Sequence, residues 1–262
     1  MTDIPAATFD PRLIATAPQE LDGRVICITG VTGGIGRALA LECAQRGAAV
    51  ILCGRNVRKL EPLHSEIASS ALNSGAVLIE PVIAPLDLEK ALARDYDTLA
   101  AAVMDRFGRL DGLVHCAALL GKLAPIEQFD MATWYRVMHV NVTAALALTQ
   151  VLLPALRNST DASIVFSSSS VGRRGRAYWG AYAVSKFAIE GLCQVLADEL
   201  EISHIRVNAI NPGRARTAMR REAYPSEALE SLPLPEKLVS AYVALLGPAA
   251  RGISGRSFDA QA

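Results

Sequence analysis

The sequence predicts an α/β fold with one parallel sheet of about seven strands and helices on both of its faces. Short continuous apolar runs, typical of strands buried on both sides, alternate with segments of helical periodicity along most of the chain. The first apolar run leads directly into a glycine-rich turn and a helix. This alternation predicts a doubly wound sheet with right-handed crossovers.

The composition argues against several classes of function. The 262 residues carry 26 basic and 26 acidic side chains and only 5% aromatic residues, so no basic surface or base-stacking platform for nucleic acid is indicated. No apolar run reaches the roughly 18 residues that span a bilayer, and residues 1–20 lack a signal-peptide pattern. The five cysteines and four histidines show no metal-ligand spacing. We expect a soluble, cytoplasmic protein with no nucleic acid, membrane or metal among its partners.

The chain divides into an arm and one domain. Residues 1–21 contain several prolines and no sustained periodicity, which predicts an N-terminal arm ordered by docking against the body or a neighbouring subunit. Residues 22–262 contain no linker-like stretch and no repeat, and we expect them to form a single domain.

The first predicted strand, Arg24–Thr29, is followed by the glycine-rich turn Gly30–Gly36 and by a helix that ends before Gly47. Glycines let the backbone turn tightly and approach a pyrophosphate, while a helix N-terminus offers unpaired N–H groups. The alternative is an ordinary strand–helix turn, which seldom needs four glycines in seven positions. The turn therefore favours dinucleotide binding, with the candidate residues Gly30, Thr32, Gly33, Gly34, Ile35 and Gly36.

The second predicted strand, Ala49–Cys53, ends at Gly54 and Arg55. In NAD-binding units an acidic side chain near this strand end binds the ribose 2′-hydroxyl. Here a glycine holds that place and a guanidinium follows it, which favours the 2′-phosphate of NADP(H) over NAD(H). The alternative is that Arg55 only caps the turn in solvent.

The remaining elements continue the alternation of strand and helix. Further strands are predicted at Ala76–Ile83, Leu110–Cys116, Ser163–Phe166, Ile205–Ile210 and Arg256–Asp259. Further helices are predicted at 57–71, Tyr96–Phe107, Met131–Leu156, Tyr178–Glu201 and Pro235–Leu246.

Tyr182 and Lys186 stand four positions apart in a predicted helix and therefore project from the same face. A cation near a phenol favours the phenolate, so we expect the pKa of Tyr182 to fall from about 10 towards neutrality. Such a phenol can exchange a proton with an alcohol oxygen at physiological pH. Taken alone, this spacing is more often a solvent-exposed helical pair, so its interpretation depends on the rest of the chain.

Six motifs, in order, resemble the short-chain dehydrogenase/reductase family. They are the turn Thr29–Gly36, Asn141 in His-Val-Asn-Val, Ser169 thirteen residues before Tyr182, Gly172, the Tyr182/Lys186 pair, and Pro212-Gly213 followed by Thr217. The resemblance covers about residues 22–260 and implies a single-domain Rossmann fold. Within the family, the stretch after Ser169 and the closing Phe-Asp-Ala-Gln are similar to a bacterial YciK-like subgroup.

The resemblance implies a hydride transfer between NADP(H), with NAD(H) as the alternative, and a small carbonyl or alcohol substrate. Tyr182 would be the general acid/base, and Lys186 would lower its pKa and bind the nicotinamide ribose. Ser169, with Ser168 as the next candidate, would hold the carbonyl oxygen, and Asn141 would position a water that links Lys186 to solvent. Besides the glycine turn, the implied cofactor contacts are Arg55, Asp87, Leu88, Ala117, Tyr182, Lys186, Pro212, Gly213 and Thr217.

The segment His115–Ala118 departs from the family pattern, which is usually Asn-Asn-Ala-Gly. The change adds a methyl group, expected near the adenosine half of the cofactor, and removes a polar tie between neighbouring strands. It motivates an alternative function, a dinucleotide-binding regulatory or scaffold protein with weak catalysis or none.

Features that concern the substrate and the assembly are fewer. Arginines cluster on both sides of the expected substrate mouth, at Arg173, Arg174, Arg176, Arg214, Arg216, Arg220 and Arg221. They are equally compatible with an anionic substrate and with a role in solubility or subunit contacts. The short segment Met219–Pro235 predicts a small lid. The resemblance also implies a homodimer or homotetramer built from the two long helices.

Overall fold

The computed structural model of the chain describes residues 8–74 and 79–262. Within these ranges seven strands form one parallel sheet in the order β3-β2-β1-β4-β5-β6-β7, which confirms the predicted fold class. The strands are β1 (Val25–Thr29), β2 (Ala49–Gly54), β3 (Val82–Pro85), β4 (Gly112–His115), β5 (Ala162–Ser167), β6 (Ile205–Asn211) and β7 (Ser257–Asp259).

Helices cover both faces of the sheet. They are α1 (Gly34–Gln45), α2 (Val57–Ser74), α3 (Ala93–Phe107), α4 (Met131–Met138), α5 (Ala144–Arg157), α6 (Gly180–Glu199), α7 (Ala218–Ala223) and α8 (Val239–Leu246). Helices α3, α5 and α6 contribute to the hydrophobic cluster on one face, and α1, α2 and α8 to the cluster on the other. The fold is therefore a three-layer α/β/α sandwich with a core on each side of the sheet.

The strands are continuous apolar runs because both of their faces are buried. In β1, for example, Cys27 belongs to the cluster under α3, α5 and α6, whereas Ile26 and Ile28 belong to the cluster under α1, α2 and α8. All five residues of β1 are buried. Successive side chains of a strand point to opposite faces, so each cluster takes alternate residues.

The strand order creates a crevice between β1 and β4. From β1 the chain continues to β2 on one side, and from β4 it continues to β5 on the other. The loops that leave the carboxyl ends of these two neighbours therefore diverge. Open α/β sheets bind their ligands at such a switch point.

The predicted helix Met131–Leu156 is interrupted. A π-helical segment, His139–Thr143, separates α4 from α5. Apolar periodicity runs through this segment, so the sequence pattern did not reveal the wider turn. Single π turns inside α-helices frequently occur at functional sites.

Two other elements differ from the prediction. The third strand begins at Val82, where pairing with Ile51 of β2 starts, and not at Ala76. Residues 76–78 of the predicted strand lie outside the described residues. The short helix α7 was not predicted as a helix; it lies in the segment expected to form a small lid.

The described part of the N-terminal segment packs against the end of the chain. The Phe9 ring packs edge-on against the Phe258 ring, with the two ring centroids 5.6 Å apart. Arg12 donates a hydrogen bond to the carbonyl of Gln261 at 2.9 Å, and Leu21 is completely buried. These contacts tie the N-terminal segment to β7 and the C-terminal residues.

Among the described residues, one helical stretch, Met131–Arg157, is long and apolar enough by length and composition to cross a membrane. Its side chains Leu148, Leu152 and Leu156 lie in the core cluster shared with α3 and α6. The stretch is thus a core helix of this fold.

Candidate active site

The carboxyl ends of β1, β2, β4 and β5 open onto a cleft of about 1220 Å³. One end of the cleft is bordered by the glycine-rich turn and Arg55, and the other by Tyr182 and Lys186. The cleft lies at the switch point between β1 and β4, where the fold predicts ligand binding.

The glycine-rich turn is shaped to receive an anion. A Cβ atom at Gly30, whose φ is +74°, would lie 2.8 Å from the backbone of Ala117, and one at Gly36 would lie 2.6 Å from the Gly30 carbonyl oxygen. By contrast, a Cβ at Gly33 would meet nothing within 4 Å. Helix α1 begins at Gly34 without a side-chain cap, so its first N–H groups are available to a ligand. This cradle fits a pyrophosphate.

Arg55 follows β2 on the rim of the cleft. Its guanidinium lies 3.8 Å from Glu89, and 61% of its side chain is exposed. Glu89 has a closer partner in Arg136, at 2.8 Å. The guanidinium of Arg55 can therefore turn towards a bound anion at little cost.

Every residue that the sequence assigns to the cofactor lines this cleft, with the exception of Gly213. A Cβ at Gly213, whose φ is +74°, would lie 2.5 Å from Gln261 Nε2. That Nε2 donates to the carbonyls of Pro212 at 2.6 Å and Arg214 at 2.8 Å. Gly213 is thus required by the packing of the C-terminus on this loop, which holds Pro212 and Thr217 at the cleft.

Tyr182 and Lys186 come together on α6 as predicted from their spacing, and both are buried. Lys186 Nζ donates to the Ser167 carbonyl at 2.6 Å and lies 5.6 Å from the centroid of the Tyr182 ring. Burial lowers the pKa of Lys186 to about 8.

The pKa of Tyr182 does not fall as the sequence predicted. Burial raises it to about 12, and a hydrogen bond with the Ser169 side chain acts in the opposite direction. Desolvation disfavours the phenolate, and the Lys186 ammonium points to the strand end rather than to the phenol oxygen. Tyr182 is therefore a protonated phenol at neutral pH.

The four consecutive serines have different surroundings. Ser169 is the hydrogen-bond partner of Tyr182. The Ser168 hydroxyl donates to Glu190, and the Ser167 hydroxyl hydrogen-bonds to Tyr242 at 3.0 Å. Only Ser169 and the exposed Ser170 remain unengaged by the core, and of these Ser169 is beside the phenol.

Asn141 lies in the π turn behind Tyr182 and Lys186. Its Oδ1 accepts from Leu119 N at 2.7 Å, and its Nδ2 donates to Leu119 O at 2.9 Å and to Ser185 Oγ at 3.0 Å. Ser185 Oγ in turn donates to the Tyr182 carbonyl at 2.7 Å. Both amide hydrogens are used on protein atoms, so the side chain fixes the loop after β4 to α6 and presents no N–H to a water.

The segment His115–Ala118, which begins at the last residue of β4, is well packed. His115 stacks on Phe166 with ring centroids 4.8 Å apart, and burial lowers its pKa to about 3. Cys116 Sγ lies 3.3 Å from Ser167 Oγ, which supplies a polar tie between the ends of β4 and β5. Ala118 packs against the hydrophobic cluster that contains Tyr182.

Most of the clustered arginines have partners within the protein. Arg173 donates to both carboxylate oxygens of Asp259 at 2.9 Å and to Glu190 at 3.3 Å. Arg220 donates to both oxygens of Glu227, at 2.5 and 2.6 Å. These contacts favour the interpretation that both arginines hold the fold around the mouth of the cleft.

Some residues of the site were not identified from the sequence. Glu190 stands one turn after Lys186, so helical spacing alone could have placed it on the same face. Trp179, beside Tyr182, precedes α6 in a segment without periodicity, and nothing in the sequence pattern marks it. Across residues 8–74 and 79–262, no group of three or more His, Cys, Asp or Glu side chains is arranged to hold a metal ion.

Known proteins with similar sequences and structures share this arrangement of strands. The sequence matches the short chain dehydrogenase family over residues 24–228. It is 45% identical to YciK of Escherichia coli (strain K12), an uncharacterized oxidoreductase, over 92% of this chain and 93% of that protein. More than nine tenths of each chain is aligned, so the match extends over nearly the whole of both proteins.

Solved structures give the same assignment. A protein of Pseudomonas syringae assigned to the short chain dehydrogenases superposes with a TM-score of 0.91 at 49% identity, covering 94% of this chain and 98% of that one. A similar protein of Escherichia coli CFT073, complexed with NADPH, superposes with a TM-score of 0.89 at 46% identity, covering 94% and 100%. With the sheet order, the glycine turn and the Tyr182/Lys186 pair in place, this chain belongs to the short-chain dehydrogenase/reductase family.

Proposed function

We propose that this protein is an NADP(H)-dependent oxidoreductase that interconverts a small carbonyl compound and its alcohol, with Tyr182 as the general acid/base. The observation that carries the proposal is the continuity of one cleft. It joins an anion cradle and an exposed arginine at one end to the buried Tyr182 phenol and Lys186 ammonium at the other. A dinucleotide lying along it would bring its reactive end to Tyr182.

The preference for NADP(H) rests on Arg55 and on the relatives. No carboxylate follows β2 at the position where NAD-binding units hold the ribose 2′-hydroxyl, and Arg55 has only a distant partner in Glu89. A guanidinium at this place suits a phosphate. The related structure from Escherichia coli CFT073 holds NADPH.

The chemistry assigns a different task to each side chain. When bound, the nicotinamide supplies or accepts the hydride. Reduction of a carbonyl develops negative charge on its oxygen, which the Ser169 hydroxyl can stabilise by a hydrogen bond. Tyr182, with a pKa of about 12, is protonated at neutral pH and can give its proton to that oxygen. The positive charge of Lys186 beneath the ring stabilises the phenolate that results.

Asn141 would serve as a positioning residue. Its amide links the loop that carries Leu119 to Ser185 on α6, so it fixes the distance between one wall of the cleft and the helix of Tyr182. Proton transfer is sensitive to such distances, because donor and acceptor must be within hydrogen-bond reach.

The rival function is a dinucleotide-binding regulatory or scaffold protein. The experiment that separates the two uses NADPH carrying deuterium at the transferred position and a panel of aldehydes and ketones. The proposed function predicts that deuterium appears on the carbinol carbon of the product alcohol. If NADPH binds but no carbonyl in the panel is reduced, the regulatory function is favoured.

We further propose that the protein is cytoplasmic and forms a homodimer or homotetramer through its long helices. The outer face of α6 exposes Val184, Phe187 and Val195, which follow helical spacing. An exposed apolar stripe of this kind is typical of a protein–protein contact. Light scattering after size-exclusion chromatography should give a dimer or tetramer, and Phe187→Asp should shift it towards the monomer.

A further inference from the structure

Three side chains of α6 follow one another along one face of the helix. Tyr182, Lys186 and Glu190 are spaced at intervals of four positions, and all three are buried. Tyr182 and Lys186 have tasks in the proposed reaction, which assigns none to Glu190. Burying a carboxylate is unfavourable unless the carboxylate is paired, so the partners of Glu190 indicate what it does there.

Each of these three side chains contacts one of three consecutive residues at the end of β5. The contacts pair Ser167 with Lys186, Ser168 with Glu190, and Ser169 with Tyr182. In the middle contact the buried Ser168 hydroxyl donates to Glu190 Oε1. The Ser168 backbone N–H donates to the carbonyl of Ile210 at 2.8 Å. Ser168 is therefore held by β6 through its backbone and by α6 through its hydroxyl.

Glu190 has a second partner in Arg173, which follows the serines. Arg173 Nε donates to Glu190 Oε1 at 3.3 Å, the same oxygen that accepts from Ser168. Arg173 Nη1 donates to both carboxylate oxygens of Asp259 at 2.9 Å. The guanidinium is thus fixed to β7, and it holds the Glu190 carboxylate in place for Ser168.

The turn that follows the serines packs tightly on α6. A Cβ atom at Gly172 would lie 2.8 Å from Lys186 Cβ and 2.9 Å from the Lys186 carbonyl oxygen. No room remains for a methyl group between this turn and the helix. Ser168 stands between Ser167 and Ser169, so a displacement of Ser168 would move both neighbours through the backbone.

We propose that Glu190 is a positioning residue of the catalytic site. Its carboxylate ties Ser168 to α6, which holds the Ser169 hydroxyl at Tyr182, and its negative charge stabilises the Lys186 ammonium. The inference rests on the proposed function, because Ser169 and Tyr182 act on a substrate only in that reaction.

The charge on Lys186 provides a readout that a merely structural role of Glu190 would not change. Burial lowers the pKa of Lys186 to about 8, and the charges of Cys116 and Glu190 act in the opposite direction. Cys116 can act in this way only as a thiolate, above its own pKa of about 11. Near pH 8 the acting charge is therefore that of Glu190, so its removal should lower the pKa of Lys186 further.

The other titratable groups near this pair do not replace Glu190. The neighbours with pKa values of about 3, 12 and 12, all uncharged at pH 8, are His115, Tyr182 and Cys193. The charged or titratable residues on the other elements that pack on α6 are Arg136 of α4, paired with Glu89, His139 of the π segment, and Arg206 of β6, paired with Asp161. None of these residues is altered in the variants below.

The first test titrates Lys186 and needs no turnover. In protein labelled with ¹³C at the lysine Cε atoms, the NMR signal that is missing from Lys186→Arg reports the protonation of Lys186. We expect a midpoint near pH 8 in the wild type and a midpoint at least about 0.5 pH unit lower in Glu190→Gln. Glutamine keeps an oxygen for Ser168 and removes only the charge.

The matched control for this titration is Glu199→Gln. It removes the same charge from an exposed residue at the last position of α6, where screening separates it from Lys186, and should leave the midpoint unchanged. An equal midpoint in Glu190→Gln and the wild type would overturn the inference. The titration gives its answer whether or not the protein reduces carbonyls, so its failure is distinct from failure of the proposed function.

The second test measures kcat at pH 6, where Lys186 is charged, with NADPH and the aldehyde or ketone of the panel above that the wild type reduces fastest. Glu190→Met, which offers Ser168 no oxygen, should lower kcat about tenfold, because small displacements of catalytic groups slow the reaction. Glu190→Gln should stay within about threefold of the wild type. The Kd for NADPH should change by less than about threefold in both variants, since Glu190 does not line the cleft.

A double-mutant cycle separates this role from a direct contact between Ser168 and the substrate, since Ser168 lines the cleft. Ser168→Ala should lower kcat by about the same factor as Glu190→Met. The double variant should lose no more than either single variant, because all three lack the same hydrogen bond. Losses that multiply in the double variant, or a wild-type kcat in Glu190→Met, would overturn the inference.

Discussion

The ammonium nitrogen of Lys186 lies 5.6 Å from the centroid of the Tyr182 ring and is hydrogen-bonded at 2.6 Å to the carbonyl of Ser167. The cation is therefore anchored to the end of β5, beneath the phenol and not beside its oxygen. Burial keeps Tyr182 protonated, and in the proposed reduction the Lys186 charge would stabilise the phenolate that forms when a substrate oxygen takes the proton. It suits a catalyst that acts first as an acid, in the reduction of a carbonyl.

The pH dependence of reduction should report Lys186. Its pKa is lowered to about 8 by burial, so its charge is complete below that pH and is lost above it. We expect kcat/KM for carbonyl reduction to be constant below about pH 7 and to fall above about pH 8, approaching tenfold per pH unit. Tyr182, with a pKa of about 12, does not titrate in this range and so adds no further pH dependence to kcat/KM. A flat profile up to about pH 10 would contradict this role. Lys186→Arg keeps the charge, and its residual activity should lack the decline.

The contribution of Arg55 to cofactor choice can be measured by titration. We expect Arg55→Ala to raise the Kd for NADPH about 10- to 100-fold, because a charge-assisted contact with the 2′-phosphate is lost, and to leave the Kd for NADH unchanged. Arg58→Ala is the matched control, since Arg58 is exposed but is not among the residues that line the cleft. Tighter binding of NADH than NADPH by the wild type would refute the preference for NADP(H).

Arg173 should prove to be a structural residue. Arg173→Met leaves the buried Glu190 carboxylate without its guanidinium and frees Asp259, so the free energy of unfolding should fall by about 2 kcal/mol. Urea denaturation measures this change, and Arg174→Ala, at an exposed position nearby, should stay within about 0.5 kcal/mol of the wild type. The loss of kcat/KM should be equal for neutral and carboxylate aldehydes. A loss confined to the carboxylate would show that Arg173 binds substrate.

His115 should make the fold sensitive to acid. Its pKa is about 3 in the folded chain against 6.5 for a free side chain, so between these values the unfolded state binds the extra proton. Stability is therefore lost as the pH falls below 6.5, by about 2 kcal/mol at pH 5. Urea denaturation at pH 7.5 and pH 5 measures the free energy of unfolding at the two pH values. Between them the wild type should lose about 2 kcal/mol more than His115→Asn. Parallel changes in the two proteins would rule it out.

The fold and the cofactor cradle could be predicted because their determinants are local. Buried parallel strands are continuous apolar runs, and the turn between β1 and α1 needs its glycines at fixed positions. The pairing of Tyr182 with Lys186 follows from helical spacing for the same reason.

The features that could not be predicted depend on contacts distant in the sequence. Arg173 meets Glu190 and Asp259, which are 17 and 86 positions away, so the sequence could not tell a structural arginine from a substrate ligand. The direction of the Tyr182 pKa shift depends on burial, which the YxxxK spacing does not contain. The π turn at Asn141 is invisible in the apolar periodicity that runs through it.

The central claim is that Tyr182 transfers the proton, and the kcat of Tyr182→Phe for carbonyl reduction tests it most directly. Phenylalanine keeps the ring that contacts Trp179 and removes only the hydroxyl, so NADPH titration should give a Kd within about twofold of the wild type. With the cofactor bound, we predict that kcat falls by at least roughly a thousandfold, as expected when a positioned acid is removed. A variant that binds NADPH and retains more than about a tenth of the wild-type kcat would contradict the account.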